Sequence, residues 1–227
     1  MSEQRTVAFR INDEMNLVYR SIRAAVRLLL KLWFRPRLQQ DEAIPATGPA
    51  VIAPIHRSNL DFAFSMLLTN RKLYFIAKDS LFKGKVISWL FLTMGAFPVH
   101  RGSADREALK RCEAVLAAGH LLVLFPEGTR RSGEEVTDLL EGAAFLSLRT
   151  DAPVIPVGIG GSEAAMPKGS KAIKRVPVSV VQGPAIYPPP APGEGRRPRS
   201  AVHELNEQVT DGLARAFARA RELNASR

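Results

Sequence analysis

Short apolar runs rich in branched residues, separated by helix-length segments, recur from residue 50 to residue 181, and this rhythm sets the fold class. Residues 50–55, 73–77, 96–99, 121–125, 154–159 and 176–181 read as strands, and residues 60–69, 86–94, 104–118 and 139–148 as helices. Gly119 stands where the cap of the third of these helices belongs. Residues 201–223 add an amphipathic helix with Val202, Leu205, Val209, Leu213 and Phe217 on one stripe. The stretch 183–199, rich in Pro and basic residues, reads as a surface loop. Strands alternating with helices predict an α/β fold with a mostly parallel central sheet flanked by helices. A chain of 227 residues is long enough for one sizeable domain of this kind.

The segment before this rhythm is different. On a helix over residues 15–35, at about 100° per residue, Arg20, Arg23, Arg27, Lys31 and Arg35 share one face. Val18, Ile22, Ala25, Val26, Leu29, Leu32 and Trp33 share the opposite one, and Pro36 stops the helix. Such a helix suits a membrane surface, and it equally suits docking on its own domain; the two are compatible. The expected organisation is an N-terminal amphipathic membrane-association segment over residues 1–38 and an α/β domain over residues 39–227. The uncharged runs are too short for a spanning helix, and the polar, mixed-charge start does not resemble an export signal. The formal net charge of +10 calls for an anionic partner: nucleic acid, an anionic membrane or a phosphorylated substrate. The lone Cys112 rules out an internal disulfide and fits a reducing compartment.

Four segments gather the chemically able residues, each at a strand end, where open α/β sheets bind ligands. In Pro54-Ile55-His56-Arg57-Ser58-Asn59-Leu60-Asp61, a turn before a helix lets Asp61 hold one imidazole nitrogen of His56 while the other accepts a proton. The same residues also fit a helix-start aspartate beside a strand-end histidine with no catalytic part. Arg101, in Gly95-Ala96-Phe97-Pro98-Val99-His100-Arg101-Gly102, can clamp a phosphate or remain a solvated arginine. Phe125-Pro126-Glu127-Gly128-Thr129-Arg130-Arg131-Ser132 offers turn amides and two arginines for an anion, with Glu127 balancing and orienting one of those arginines; an ordinary charged loop looks the same. Val154-Ile155-Pro156-Val157-Gly158-Ile159-Gly160-Gly161 places Pro in a strand, which suggests an edge or a distorted position, and its glycines permit close approach, by a ligand or in a plain turn. No G-x-S-x-G elbow or P-loop is present, and one Cys with four His shows no metal-ligand spacing.

Together, in this order, the four segments resemble the glycerolipid acyltransferases, the family of 1-acylglycerol-3-phosphate and glycerol-3-phosphate acyltransferases. The resemblance covers about the middle half of the chain, and Phe125–Arg130 carries its most specific block. It implies that His56 is the general base and Asp61 its orienter. It further implies that Arg101, Lys78, Glu127, Gly128, Thr129, Arg130, Ser58 and Pro156 serve substrate binding, with amides near Gly128 as candidate oxyanion donors. The implied reaction moves a fatty acyl group from acyl-CoA or acyl carrier protein, as cosubstrates, to the hydroxyl of 1-acylglycerol-3-phosphate, with no cofactor and no metal. Glycerol-3-phosphate, another lysolipid or a glycolipid is the alternative acceptor, and an inactive membrane scaffold is the reading from another class. Ile55, where the family often has Asn, and Glu141, near where it often has Lys, depart from the pattern. The expected partners are anionic lipids, the acyl carrier and the acceptor lipid, without nucleic acid, at the cytoplasmic face of the cell membrane.

Overall fold

The computed structural model describes residues 17–99, 106–191 and 197–227. The strands are β1 (Arg37–Gln40), β2 (Ala50–Pro54), β3 (Leu73–Lys78), β4 (Ala96–Val99), β5 (Leu121–Val123), β6 (Val154–Gly160) and β7 (Ser179–Gln182). They form one sheet in the order β1-β7-β6-β2-β5-β3-β4. The five from β6 to β4 run parallel. β7 lies antiparallel to β6 and carries β1 parallel to itself. The helices are α1 (Leu17–Phe34), α2 (Asp61–Ser65), α3 (Lys85–Thr93), α4 (Arg106–Ala117), α5 (Gly142–Thr150), α6 (Ser162–Ala165) and α7 (Arg199–Ala225). The mostly parallel, helix-flanked α/β sheet is the one the sequence rhythm predicts.

The strands are apolar on both faces because helices cover both. Ala50, Ile52, Leu73, Phe75, Leu121, Val123, Ile155 and Val157 face a layer with Leu30 and Phe34 of α1 and Phe64 of α2; Leu90 and Phe91 of α3 pack against its rim. The alternate residues Val51, Ala53, Tyr74, Leu122 and Val154 face Cys112 and Val115 of α4, Leu146 of α5 and Val209 of α7. Each large side chain so buried contributes about 1.5–3 kcal/mol relative to exposure.

Pro156 sits inside the sheet, not at its edge. Its carbonyl accepts the Gly183 N–H at 3.0 Å, on the β7 side. There the ladder stops at the Val157–Gln182 pair and resumes only as a single bridge between Val154 and Ile186. The missing N–H therefore falls in a gap of the ladder, and the pairing with β2 continues across it.

Gly158 and Gly160 are approached by the protein itself. A Cβ at Gly158 would lie 2.1 Å from the Ala216 carbonyl oxygen, and one at Gly160 would lie 2.4 Å from that of Ala220. The α7 backbone rests directly on β6 there.

β1 was not apparent in the sequence, and it straddles residue 38, where the amphipathic segment was expected to end. The facing of α1 also differs from the charge pattern. Tyr19, Arg23, Leu30 and Phe34 turn inward. Arg23 donates to the Thr69 and Asn70 carbonyl oxygens, and Arg27 to Asn70 Oδ1 at 2.6 Å. The carbonyls that follow α2 lack helical donors, and these two arginines supply them. Burial lowers the Arg23 pKa. Leu17, Leu28, Leu29, Leu32 and Trp33 consequently remain exposed. Among the described residues no helix is long and apolar enough to cross a membrane.

Candidate functional site

The parallel strands end on one edge of the sheet, and the chain leaving β2, the middle strand of the seven, carries the first functional residues there. After Pro54 it turns through residues 55–60 before Asp61 opens α2. Asp61 is fully buried, and its Oδ2 accepts the Arg57 and Ser58 backbone N–H groups at 2.7 and 2.6 Å. The same oxygen lies 3.4 Å from Nδ1 of His56. The two amides fix the carboxylate in place at the start of α2, facing the imidazole. Its Oδ1 is buried without a hydrogen-bond partner among the described residues. The His56 ring stacks on Phe125 with centroids 4.0 Å apart, and its side chain keeps 13% exposure. With Nδ1 directed at Asp61, Nε2 is the nitrogen left for a substrate.

The loop after β5 is bolted to this turn by a buried ion pair. Glu127 Oε2 accepts the His56 backbone N–H at 2.7 Å, and Oε1 pairs with the Arg57 guanidinium. Arg57, 1% exposed, spends its other donors on the carbonyls of Gly133 at 3.0 Å and Glu135 at 2.6 Å. Its guanidinium carbon lies 5.2 Å from the centre of the Phe217 ring in α7. The Arg131 N–H returns to the His56 carbonyl at 2.9 Å. Glu127 therefore orients Arg57, 70 residues away, and not an arginine of its own loop. Nothing local in the sequence marks that pairing. Arg131 turns instead to Asp138 at 3.3 Å.

The remaining expected residues divide. Ser58 is buried, its Oγ donating to the Met166 carbonyl at 3.0 Å. The Gly128 N–H donates to the Phe125 carbonyl at 3.0 Å and the Thr129 N–H to that of Glu127 at 2.7 Å, so neither amide is a ready oxyanion donor. The side chains of Arg130 and of Lys78, the latter exposed at the end of β3, make no hydrogen bond or ion pair with a described residue. Both remain open to an anion. Pro156 packs its ring toward Gly212 of α7 and Gly183, inside the protein. Arg101 lies outside the described residues. Among the described residues no cluster of side chains suits a metal ion.

A buried carboxylate behind a histidine at the end of a central parallel strand is a proton-transfer constellation. The sequence profile of the Acyltransferase family matches residues 35–160, more than half of the chain, and the chain belongs to that family. It is 30% identical over 156 residues to a chloroplastic 1-acyl-sn-glycerol-3-phosphate acyltransferase of Brassica napus, an alignment covering 64% of this chain and 45% of the relative. It is 25% identical over 171 residues to the 1-acyl-sn-glycerol-3-phosphate acyltransferase of Bacillus subtilis (strain 168), covering 75% and 83% of the two chains. The chain spans just under half the length of the plant relatives it matches. In fold it resembles the crystal structure of the 1-acyl-sn-glycerophosphate acyltransferase of Thermotoga maritima, with a TM-score of 0.68 and 21% identity over 87% of this chain and 79% of that one.

Proposed function

We propose that this chain is an O-acyltransferase that moves a fatty acyl group from acyl-CoA or acyl carrier protein to the hydroxyl of 1-acylglycerol-3-phosphate, forming phosphatidic acid. The observation that carries the reading is the His56–Asp61 pair, set on one carboxylate oxygen in a chain of the acyltransferase family. His56 Nε2 removes the acceptor hydroxyl proton as that oxygen attacks the thioester carbonyl. Asp61 keeps the Nδ1–H tautomer and stabilises the imidazolium. Collapse of the tetrahedral intermediate breaks the C–S bond, and the imidazolium returns its proton to the departing thiolate. No acyl-enzyme is required, and Cys112 is buried in the layer of α4, away from His56. Arg130 and Lys78, joined by Arg101, hold the acceptor phosphate. No metal or organic cofactor enters these steps.

A lipid product places the site beside a bilayer. The exposed apolar side of α1, with Trp33 and the cations Arg20, Lys31 and Arg35, suits the anionic surface at the cytoplasmic face of the cell membrane.

The test is thiol release from palmitoyl-CoA with lysophosphatidate, glycerol-3-phosphate, a lysophospholipid lacking a phosphate monoester, or no acceptor. Release that requires lysophosphatidate and falls about 10²–10⁴-fold in His56→Ala is expected. Equal rates in His56→Ala overturn the mechanism, and preference for another acceptor overturns the substrate. Absence of release with either acyl carrier leaves the scaffold reading.

A further inference from the structure

Several large apolar side chains exposed together on one helix mark a surface that meets something. Besides α1, one other place among the described residues does this. Leu81, Val86, Ile87 and Trp89 are exposed on the turn after β3 and on the outer side of α3, Trp89 at 53%. Leu90 and Phe91 of the same helix turn inward onto the core, as does Phe82 before it. Lys78, Lys83 and Lys85 are exposed around this patch, and Asp79 is the single acid in residues 78–93. An indole among branched aliphatics, ringed by lysines, has the chemistry of the headgroup boundary of an anionic bilayer.

We propose that α3 and the turn leading into it are a second bilayer-docking surface, selective for anionic lipid headgroups and separate from α1. Both helices rest on the same core and cover the same sheet face. Their exposed stripes therefore point out of one layer. The α3 patch begins at Lys78, the last residue of β3, on the sheet edge that carries His56. Two weak contacts give firmer attachment than one, and they fix which edge of the sheet meets the lipid. The proposal extends the acyltransferase reading and rests on it for the direction from which the acceptor arrives; the docking itself rests on the surface chemistry.

The chain has two tryptophans, and they lie one in each surface. In Trp33→Phe, Trp89 alone reports. Its emission should shift to shorter wavelength with phosphatidylglycerol vesicles, be quenched when their acyl chains carry bromine, and stay put with phosphatidylcholine. Lys83→Gln with Lys85→Gln should lower vesicle partition about 30-fold, the equivalent of about 1 kcal/mol per lysine. A Trp33→Phe protein that sediments with the vesicles while Trp89 emission is unmoved overturns the proposal, and so does one that no longer sediments. A shift that follows protein concentration without lipid assigns the patch to a second copy and also overturns it. The lysine variant should retain turnover on lysophosphatidate in detergent micelles and lose it on vesicles. Absence of His56-dependent turnover in both would remove the catalytic reading and leave the Trp89 result standing.

Discussion

Asp61 accepts two backbone amides on one carboxylate oxygen and turns the same oxygen toward His56, so a single atom fixes both the turn and the imidazole. Asp61→Asn can still accept from those amides through its carbonyl oxygen, but it lacks the charge that stabilises an imidazolium. Turnover should drop by at least about 10-fold with the melting temperature close to native, measured by thiol release and thermal unfolding. The Arg57–Glu127 pair is a different kind of residue-scale feature. Removing Arg57 alone leaves Glu127 buried and uncompensated, which should cost about 3–5 kcal/mol in urea unfolding. Replacing both partners by apolar residues should cost clearly less than the sum of the single changes; strict additivity would show that the pair is not coupled. The His56–Asp61 meeting was legible as a possibility, because a turn before a helix allows residues five apart to face each other. The partner of Glu127 was not, since the loop's own arginines were the nearer candidates and only folding brings Arg57 to it.

Elements were legible where burial dictates composition and illegible where backbone pairing does. The continuous apolar runs of β2 and β6 announce strands covered on both faces. β1, with the sequence Arg-Leu-Gln-Gln and every residue exposed, has no such period and exists because β7 offers an open edge. α1 was read by its charges, yet the unsatisfied carbonyls at residues 69 and 70 outweighed solvation of Arg23. The glycines of β6 were visible, but not the helix that uses them. Gly158→Ala should destabilise by on the order of 2–3 kcal/mol, because the methyl group collides with the α7 backbone, which cannot yield as a side chain would. The junction of β1 with α7 adds a pH dependence. Hydrogen bonding to Arg219, at 2.6 and 2.7 Å, holds the Asp41 carboxyl below its usual pKa. A carboxyl depressed in the folded state stabilises above its unfolded value of about 3.9 and loses that contribution as pH falls through the folded value. Asp41→Asn should therefore flatten the acid limb of stability, and at neutral pH it should cost no more than about 1 kcal/mol.

At the scale of the whole molecule, one layer carries α1, α2 and α3, the other carries α4 and α5, and α7 contributes side chains to both. Exposed Leu28, Leu29, Leu32 and Trp33 all belong to the first. Deleting residues 1–38 removes α1 and also cuts into β1, so a shift from membrane to soluble fraction would mix anchoring with edge damage. Changing Leu29 and Leu32 to Ser is the cleaner experiment. It should weaken vesicle sedimentation, by about 10-fold or more for two apolar side chains withdrawn from the bilayer, and leave thermal stability near native. The bolt between the two halves of the site has a consequence in time. His56 donates its backbone N–H to a residue 71 positions later, and Arg57 donates to the Gly133 carbonyl, 76 positions away. Contacts so distant along the chain form only after the intervening strands have found one another. During refolding, helix signal should return before the histidine is seated, and enzymatic competence should arrive with the last cooperative step.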